Sequence, residues 1–309
     1  MKTTLEDRRG TAVATYRIRF SPVKTLIHVW FILVSVCMVA PMALVLSASF
    51  SDDGAIRKHG YRFWPETFSA KAYEYIFQSP AILLKSYGVT TFVTVVGTLI
   101  SLVLTAMLGY VISRKAFRYH KIATGYIFFT VLFSGGVVPF YILITQYLHM
   151  QNTIWVLIIP HVVFPLYVLV MRSFMLAIPG EIFESAKIDG AKEFRIFFRI
   201  VLPLSAPALA TLGLFFAFKF WNDWFPAMLF INDESYIPIQ LLLVRMMENL
   251  NYLTSDHDFI TAVNVNAQQF PTLSARMAMA LLAAGPMMFI FPFFQRYFVT
   301  GLTFGSLKG

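Results

Sequence analysis

Charged residues divide the chain into long apolar stretches separated by short polar segments. No Asp, Glu, Lys or Arg occurs from Leu26 to Phe50, from Ser86 to Ser113, or from Ile122 to Met171. A membrane-spanning helix needs about 20 predominantly apolar residues, because the hydrocarbon core of a bilayer is about 30 Å thick. The first two stretches therefore predict one span each, and the third is long enough for two spans.

Two further spans complete the pattern. One runs from about Ala206 to Ile231 and is interrupted by Lys219 and Asp223, and the other runs from about Met277 to Gln295. The pattern predicts an all-α integral membrane protein with six transmembrane helices, at about residues 26–50, 86–113, 122–144, 153–175, 206–231 and 277–296. Around this transmembrane domain (26–300) we expect an N-terminal segment (1–25), a large loop (176–205) and a short tail (301–309).

The composition supports this class and excludes several others. Hydrophobic residues make up 58% of the 309 residues and charged residues only 13%, whereas about a quarter of a soluble domain is charged. So little charge cannot cover a soluble enzyme of this length, and the net charge of +9 offers no solvated face for nucleic acid. The single cysteine, Cys37, lies in an apolar stretch, so we expect neither a disulfide framework nor a cysteine metal site.

The distribution of Lys and Arg predicts the orientation in the membrane. If the N-terminus is inside, 17 of the 25 basic residues lie in cytoplasmic segments, seven lie in outer segments, and Lys219 lies within a span. Cytoplasmic segments of membrane proteins carry the excess of Lys and Arg. We therefore expect both termini, and the loop 176–205, in the cytoplasm.

That loop has the pattern of two short helices joined at a glycine. Pro179 suits a first helical position, and Glu181 and Glu184 lie where the helix dipole favours acids. Gly190 permits the backbone to end one helix and begin another at an angle. In the second helix, helical spacing places four apolar residues on one face: Phe194, Phe197, Phe198 and Val201. By these residues alone, the segment is an amphipathic helix lying on anionic lipid headgroups or one that contacts a partner.

The same loop resembles the EAA loop of importer permeases of the ABC transporter superfamily. The family pattern is Glu-Ala-Ala, three residues, Gly, nine residues, Ile, one residue and Leu-Pro. This chain has Ser185 in place of the first Ala and otherwise matches at Glu184, Ala186, Gly190, Ile200, Leu202 and Pro203. Segments 170–174, 294–298 and 301–309 also look like carbohydrate-importer permeases. Among these the chain is similar to the maltose-type second permease subunit, in its polysaccharide and oligosaccharide branch.

The resemblance implies a type I importer permease in a bacterial cytoplasmic membrane, carrying a saccharide. It implies four further subunits: a second homologous permease, two ATPases and an extracytoplasmic solute-binding protein. The chain has no Gly-x-x-x-x-Gly-Lys-Ser/Thr phosphate loop and no His-Glu-x-x-His metal motif, so we expect no cofactor, and ATP bound by the partners. The residues to which the resemblance gives an ATPase-coupling role are Glu184, Ala186, Asp189, Gly190, Ile200, Leu202 and Pro203.

The fifth span carries the residues that we expect along a saccharide path. Lys219 and Asp223 are four residues apart and would share a helix face, while Trp221, Asn222 and Trp224 offer apolar ring faces and hydrogen-bonding groups. The alternative is a neutralised pair near the outer interface, with the Trp residues in the aromatic belt. Two polar residues before the sixth span, Asn264 and Gln268, could line the outer mouth or be ordinary loop residues.

Glycine and proline residues in the third and fourth spans predict broken helices that line a cavity, or simply close helix packing. They are Gly135, Gly136, Pro139, Pro160 and Pro165. Two other functions fit a multi-span chain. An ion-coupled secondary transporter would need intramembrane acids, of which only Asp223 is a candidate, and a membrane enzyme would need a cluster of His or acidic residues that the sequence lacks.

Overall fold

The computed structural model describes residues 22–255 and 271–303, and helices make up most of that part of the chain. In chain order the α-helices are α1 (Pro22–Ser49), α2 (Asp53–His59), α3 (Lys71–Ile76), α4 (Pro80–Ser113), α5 (His120–Leu132), α6 (Val137–Ile142), α7 (Pro165–Leu176), α8 (Gly180–Ile188), α9 (Glu193–Ile196), α10 (Leu202–Leu204), α11 (Ala206–Asn222), α12 (Phe225–Phe230), α13 (Ile239–Ser255) and α14 (Thr272–Thr303). Two π-helical turns, Leu143–Tyr147 and Phe197–Val201, continue α6 and α9. Short 3₁₀ turns lie at Ile154–Leu157, Ile159–His161 and Glu234–Tyr236.

The described residues form no β-strand, in agreement with the all-α prediction, although Ser51 and Phe68 form an antiparallel bridge. Helices α1, α4 and α14 are each long and apolar enough to cross a membrane. Three further segments are long and apolar enough only if two helices that meet at a bend are counted as one span. The described residues therefore allow between three and six spans. Helix α4 begins six residues before the predicted second span, because Pro80 fits the first helical turn and extends the helix outward.

Three segments are bent, and two of the bends fall within the predicted third and fourth spans. Helix α5 and the segment Val137–Tyr147 meet at 111°, and Gly136 at the bend has φ of 84°, which glycine adopts without steric cost. The segment Ile154–His161 meets α7 at 47°, with Pro165 at the start of α7. The third bend, of 78°, separates the segment Glu193–Leu204 from α11.

Helix α4 lies at the centre of the packing, against α11 on one side and α7 on the other. The buried side chains Val93, Phe216 and Phe220 join these helices to the residues around Phe230. Helix α1 packs along α14, and most of its remaining surface is exposed, as at Trp30 and Phe31. The structure therefore consists of a packed group of helices around α4, with α1 attached at its edge.

Gly97 lets α4 and α11 pack closely at Phe220. A Cβ atom at this position would lie 2.8 Å from the ring of Phe220, whose side chain is itself buried. Since the ring cannot move into a packed interior without cost, we expect Gly97→Val to destabilise the protein by about 1–3 kcal/mol. Thermal unfolding in detergent measures this effect. The control is Gly88→Val in the same helix, where a Cβ atom meets nothing within 4 Å; equal melting temperatures for the two variants would contradict the packing argument.

A buried carboxylate joins the segment after α1 to the start of α14. Asp53 Oδ2 accepts hydrogen bonds from the Leu273 backbone N–H (2.9 Å) and the Thr272 hydroxyl (3.2 Å). Its Oδ1 accepts from the Ser274 backbone N–H (3.0 Å) and the Ser274 hydroxyl (2.5 Å). The first N–H groups of a helix lack partners within the helix, and Asp53 supplies them from α2. This contact fixes α2, which follows α1, against the beginning of α14.

Candidate functional site

The loop after α7 folds as two helical segments that change direction at Gly190. Its φ of +74° is a left-handed conformation, and its N–H donates to Lys187 O at 3.0 Å. The Ala191 N–H reaches back to Ala186 O at 2.9 Å, which closes the end of α8. This geometry is a glycine helix cap, so the predicted role of Gly190 as the turn between two helices is confirmed.

One face of α8 is packed onto the helices beneath it. Phe183 and Ala186 are buried in a cluster with Met171 and Met175 of α7. The Arg114 guanidinium carbon, at the end of α4, lies 3.9 Å from the centre of the Phe183 ring, a cation–π contact. These contacts hold α8 against α4 and α7.

The rest of the α8 surface is exposed and carries both charged and apolar groups, with Lys187 paired to Glu193 of the next helix. Glu184, Lys187 and Asp189 are exposed, and the apolar side chain of Ile188 is 86% exposed. An amphipathic helix of nine residues that buries one face and exposes an isoleucine on another offers a surface for a partner.

In the second half of the loop, the buried residues differ from those predicted. Phe197 and Val201 are buried as expected, but Phe194 is 73% exposed and Phe198 is 52% exposed, and Ile196 takes the buried position instead. The buried face is centred on Ile196, Phe197 and Val201, so Phe194 and Phe198 lie at its exposed flank. Among the other expected coupling residues, Ile200 and Leu202 are half-buried and Pro203 is exposed.

Glu193 connects the two halves of this loop to α4. The Tyr110 hydroxyl donates to Glu193 Oε2 at 2.5 Å, and Lys187 Nζ lies 2.9 Å from Glu193 Oε1. The Tyr110 hydrogen bond, which favours the charged form, is the largest cause that lowers the pKa of Glu193, and Lys187 acts in the same direction. The Tyr110 ring is buried and lies 5.3 Å from the ring of Phe197.

A cleft of about 570 Å³ opens where the broken helices meet. It is lined by the bend before α6, by the 3₁₀ turn before α7 and by α12, so two of the three bent regions contribute to it. His161 and Phe140 lie on its wall, with ring centroids 5.9 Å apart. Irregular backbone at membrane depth is found where it lines a cavity or is buried in protein. The cleft is therefore the candidate for a transport path on this chain.

Lys219 and Asp223 lie close enough to interact electrostatically, but they do not form a direct ion pair. Helix α11 ends at Asn222, and Asp223 follows as its C-cap residue, with φ of −84° and ψ of 85°. In the part of the chain that the structure describes, no ion pair within 4.0 Å joins the two residues. Lys219 Nζ instead lies over the rings of Phe164 (5.7 Å) and Phe220 (5.4 Å), beside the cleft residue His161.

The other predicted path residues lie in different environments. Trp221 is 4% exposed and donates its indole N–H to Ala283 O at 2.8 Å, so it packs against α14. Asn222 is exposed and accepts from the Gln240 side chain at 3.3 Å, while Trp224 is partly exposed beside Phe225 of the cleft. Asn264 and Gln268 lie outside the described residues. Their role in a substrate path stays a prediction.

Sequence reasoning missed two groups in these sites. Glu193 carried no signal, because its partner Tyr110 is 83 positions away and the intervening residues give no pattern that joins them. His161 was missed because the histidines of the sequence were considered only as possible metal ligands. Its position next to Pro160, at the start of a broken span, was the available signal that it lies in a cavity wall.

Residues 86–303 match the family described as binding-protein-dependent transport system inner membrane component, and the match covers more than two thirds of the chain, including both halves of the loop. The chain belongs to this family. It is 35% identical to Protein LplC of Bacillus subtilis over 88% of this chain and 90% of that protein.

The chain is also similar to a second transport permease and to a transporter of known structure. The polygalacturonan/rhamnogalacturonan transport system permease protein YtcP of Bacillus subtilis is 35% identical, over 92% of this chain and 97% of that protein. A solved structure of a bacterial ABC transporter involved in the import of the acidic polysaccharide alginate superposes with a TM-score of 0.75 and 26% identity, over 90% of this chain and 96% of its own. The helical arrangement described above is therefore an ABC importer permease fold.

Proposed function

We propose that this chain is the transmembrane permease subunit of an ATP-driven saccharide importer in a bacterial cytoplasmic membrane. It crosses the membrane six times with both termini in the cytoplasm, and the bent pairs are its third, fourth and fifth spans. The observation that carries the proposal is the family match over residues 86–303, which includes the cytoplasmic loop with its EAA spacing.

The saccharide class is supported by the relatives and by the cleft. Two relatives are named for polygalacturonan, rhamnogalacturonan or arabino-oligosaccharide transport, and the similar structure is of an alginate importer. Sugars have apolar C–H faces and hydroxyl groups, and Phe140, Phe225 and His161 provide apolar and polar surface in the same wall. Lys219, beside this wall, would favour an acidic sugar.

Energy for transport comes from two ATPase partners, because the chain has no phosphate loop of its own. The exposed face of α8, with Ile188 and Glu184, is the docking surface for an ATPase. Its buried face, with Phe183 under Arg114, passes the movement of α8 to α4 and α7. Reversing a 1:99 conformational equilibrium needs about 5.5 kcal/mol of differential binding, which ATP-driven closure of the partners would supply.

A second permease completes the path, and an extracytoplasmic binding protein delivers the saccharide to its outer mouth. The surface left exposed on a single chain supports an assembly, because α1 exposes apolar side chains along most of its length while only one side packs on α14. Part of that surface faces lipid, and the rest is available to the second permease.

Uptake into vesicles tests the proposal. The complete transporter is reconstituted with its binding protein, and uptake is measured with labelled galacturonan, rhamnogalacturonan, alginate and arabinan oligosaccharides. We expect uptake of at least one of them to require ATP on the loop side and to persist when ion gradients are collapsed. Uptake that an imposed proton or sodium gradient drives without the ATPases would contradict the proposal and support a secondary transporter.

A further inference from the structure

The cytoplasmic loop is attached to α4 by a carboxylate that lies outside the EAA spacing. Glu193 follows α8 and begins α9, so its backbone belongs to the second half of the loop. Its two oxygens have different partners: Oε2 accepts from Tyr110 of α4 and Oε1 pairs with Lys187 of α8. One side chain therefore contacts both halves of the loop and the long helix beside them.

We infer that Glu193 is a positioning residue, which makes α8, α9 and the cytoplasmic end of α4 move as one body when an ATPase pulls on α8. We call the three residues Tyr110, Glu193 and Lys187 the Glu193 network. The inference rests on the proposed function and extends it, because it assigns the transmission of movement to a hydrogen bond that the family spacing does not include.

The two contacts of Glu193 differ in strength. Tyr110 is buried, and its hydroxyl donates to a charged acceptor, which is roughly twice as strong as a hydrogen bond between neutral groups. The Lys187 pair is half exposed on both sides, with side-chain exposures of 45% and 52%, and exposed pairs contribute little. The Tyr110 hydrogen bond is therefore the stronger contact and holds α9 to α4, while Lys187 links α8 to the same carboxylate.

Neighbouring contacts place this bond on a rigid support. The Tyr110 ring packs at 5.3 Å from Phe197, and the Arg114 guanidinium carbon lies 5.7 Å from the Tyr110 ring and 3.9 Å from the Phe183 ring.

Beside the bond, an apolar pocket of about 180 Å³ opens between α4 and α9, lined in part by Met107 and Phe194. Because packing is incomplete there, loss of the hydrogen bond would let α9 shift relative to α4.

The test compares uptake per ATP hydrolysed in the reconstituted transporter, using whichever oligosaccharide of the panel the wild type takes up fastest. We expect Tyr110→Phe and Glu193→Ala each to lower this ratio at least fivefold while ATP hydrolysis continues. The double variant should be no worse than Glu193→Ala alone, because both changes remove one bond. Glu193→Gln keeps an acceptor of the same reach and should restore most of the ratio. The control Tyr119→Phe, at an exposed tyrosine outside the network, should stay within about twofold of wild type.

Several results would overturn the inference. An unchanged ratio in both single variants would do so, as would a double variant whose loss equals the product of the two single losses. A fall in thermal stability with an unchanged ratio would give Glu193 a structural role alone. If the wild type shows no ATP-driven uptake of any oligosaccharide in the panel, the proposed function is overturned, and the positioning role falls with it.

Discussion

Replacing Gly190 with proline is expected to lower ATP-driven uptake about tenfold or more while the protein stays inserted in the membrane. Gly190 has φ of +74°, whereas the proline ring fixes φ near −65°. The substitution also removes the N–H that donates to Lys187 O and closes α8. A mismatch of about 3 kcal/mol at this turn changes the angle between α8 and α9, and each 1.4 kcal/mol corresponds to a factor of ten in an equilibrium.

The measurement combines uptake with ATP hydrolysis in the same vesicles. Hydrolysis should continue, because the ATPases remain intact, while uptake falls, so that the two reactions become uncoupled. Gly180→Pro is the matched control, since Gly180 is the first residue of α8, where proline is tolerated, and Pro179 before it already has extended backbone angles. Normal uptake in Gly190→Pro, or an equal loss in Gly180→Pro, would contradict the assigned role of the turn.

Replacing Asp53 with alanine is expected to destabilise the folded protein by about 3 kcal/mol. Asp53 is 7% exposed and accepts four hydrogen bonds from the first residues of α14. Its removal leaves the N–H groups of Leu273 and Ser274 without their acceptor in a buried position, and each such group costs about 1–3 kcal/mol. Thermal unfolding in detergent and the amount of protein in the membrane should both fall.

The neighbouring acid provides the control for this prediction. Asp52 caps its own short helix by accepting from the Gly54 N–H at 2.9 Å, and its side chain is partly exposed, 3.9 Å from Lys71. We expect Asp52→Ala to cost about 1 kcal/mol or less, as is usual for one exposed cap. Equal losses for the two variants would show that Asp53 does not hold α14 in place. An intermediate loss for Asp53→Asn, which keeps one acceptor oxygen, would support the hydrogen-bond account.

Helices and the loop turn could be predicted because their causes are local in the sequence. Runs without charge mark α1, α4 and α14, and the glycine at position 190 marks the end of α8. The breaks at Gly136 and Pro165 were also predictable, since glycine and proline change the backbone directly. For the same reason the EAA spacing, which depends on residues within one loop, identified the family.

Contacts between distant segments could not be predicted. The bond from Tyr110 to Glu193 and the cap from Asp53 to Ser274 join residues 83 and 221 positions apart. Helical spacing placed four apolar residues on one face but could not show which of them the neighbouring helices cover, and only Phe197 and Val201 are buried. Spacing alone also did not indicate that Lys219 lies over the ring of Phe164, which belongs to a distant segment.

The central claim is that α8 receives mechanical work from an ATPase, and photo-crosslinking from α8 tests it most directly. A photoreactive amino acid replaces Ile188, which is 86% exposed, and the complete transporter is irradiated during ATP-driven uptake. The control position is Trp64, 84% exposed in the segment after α1 and proposed to lie on the opposite side of the membrane. The account predicts that position 188 captures an ATPase subunit and that position 64 does not. Capture of lipid alone at position 188, in vesicles that are actively transporting, would contradict it.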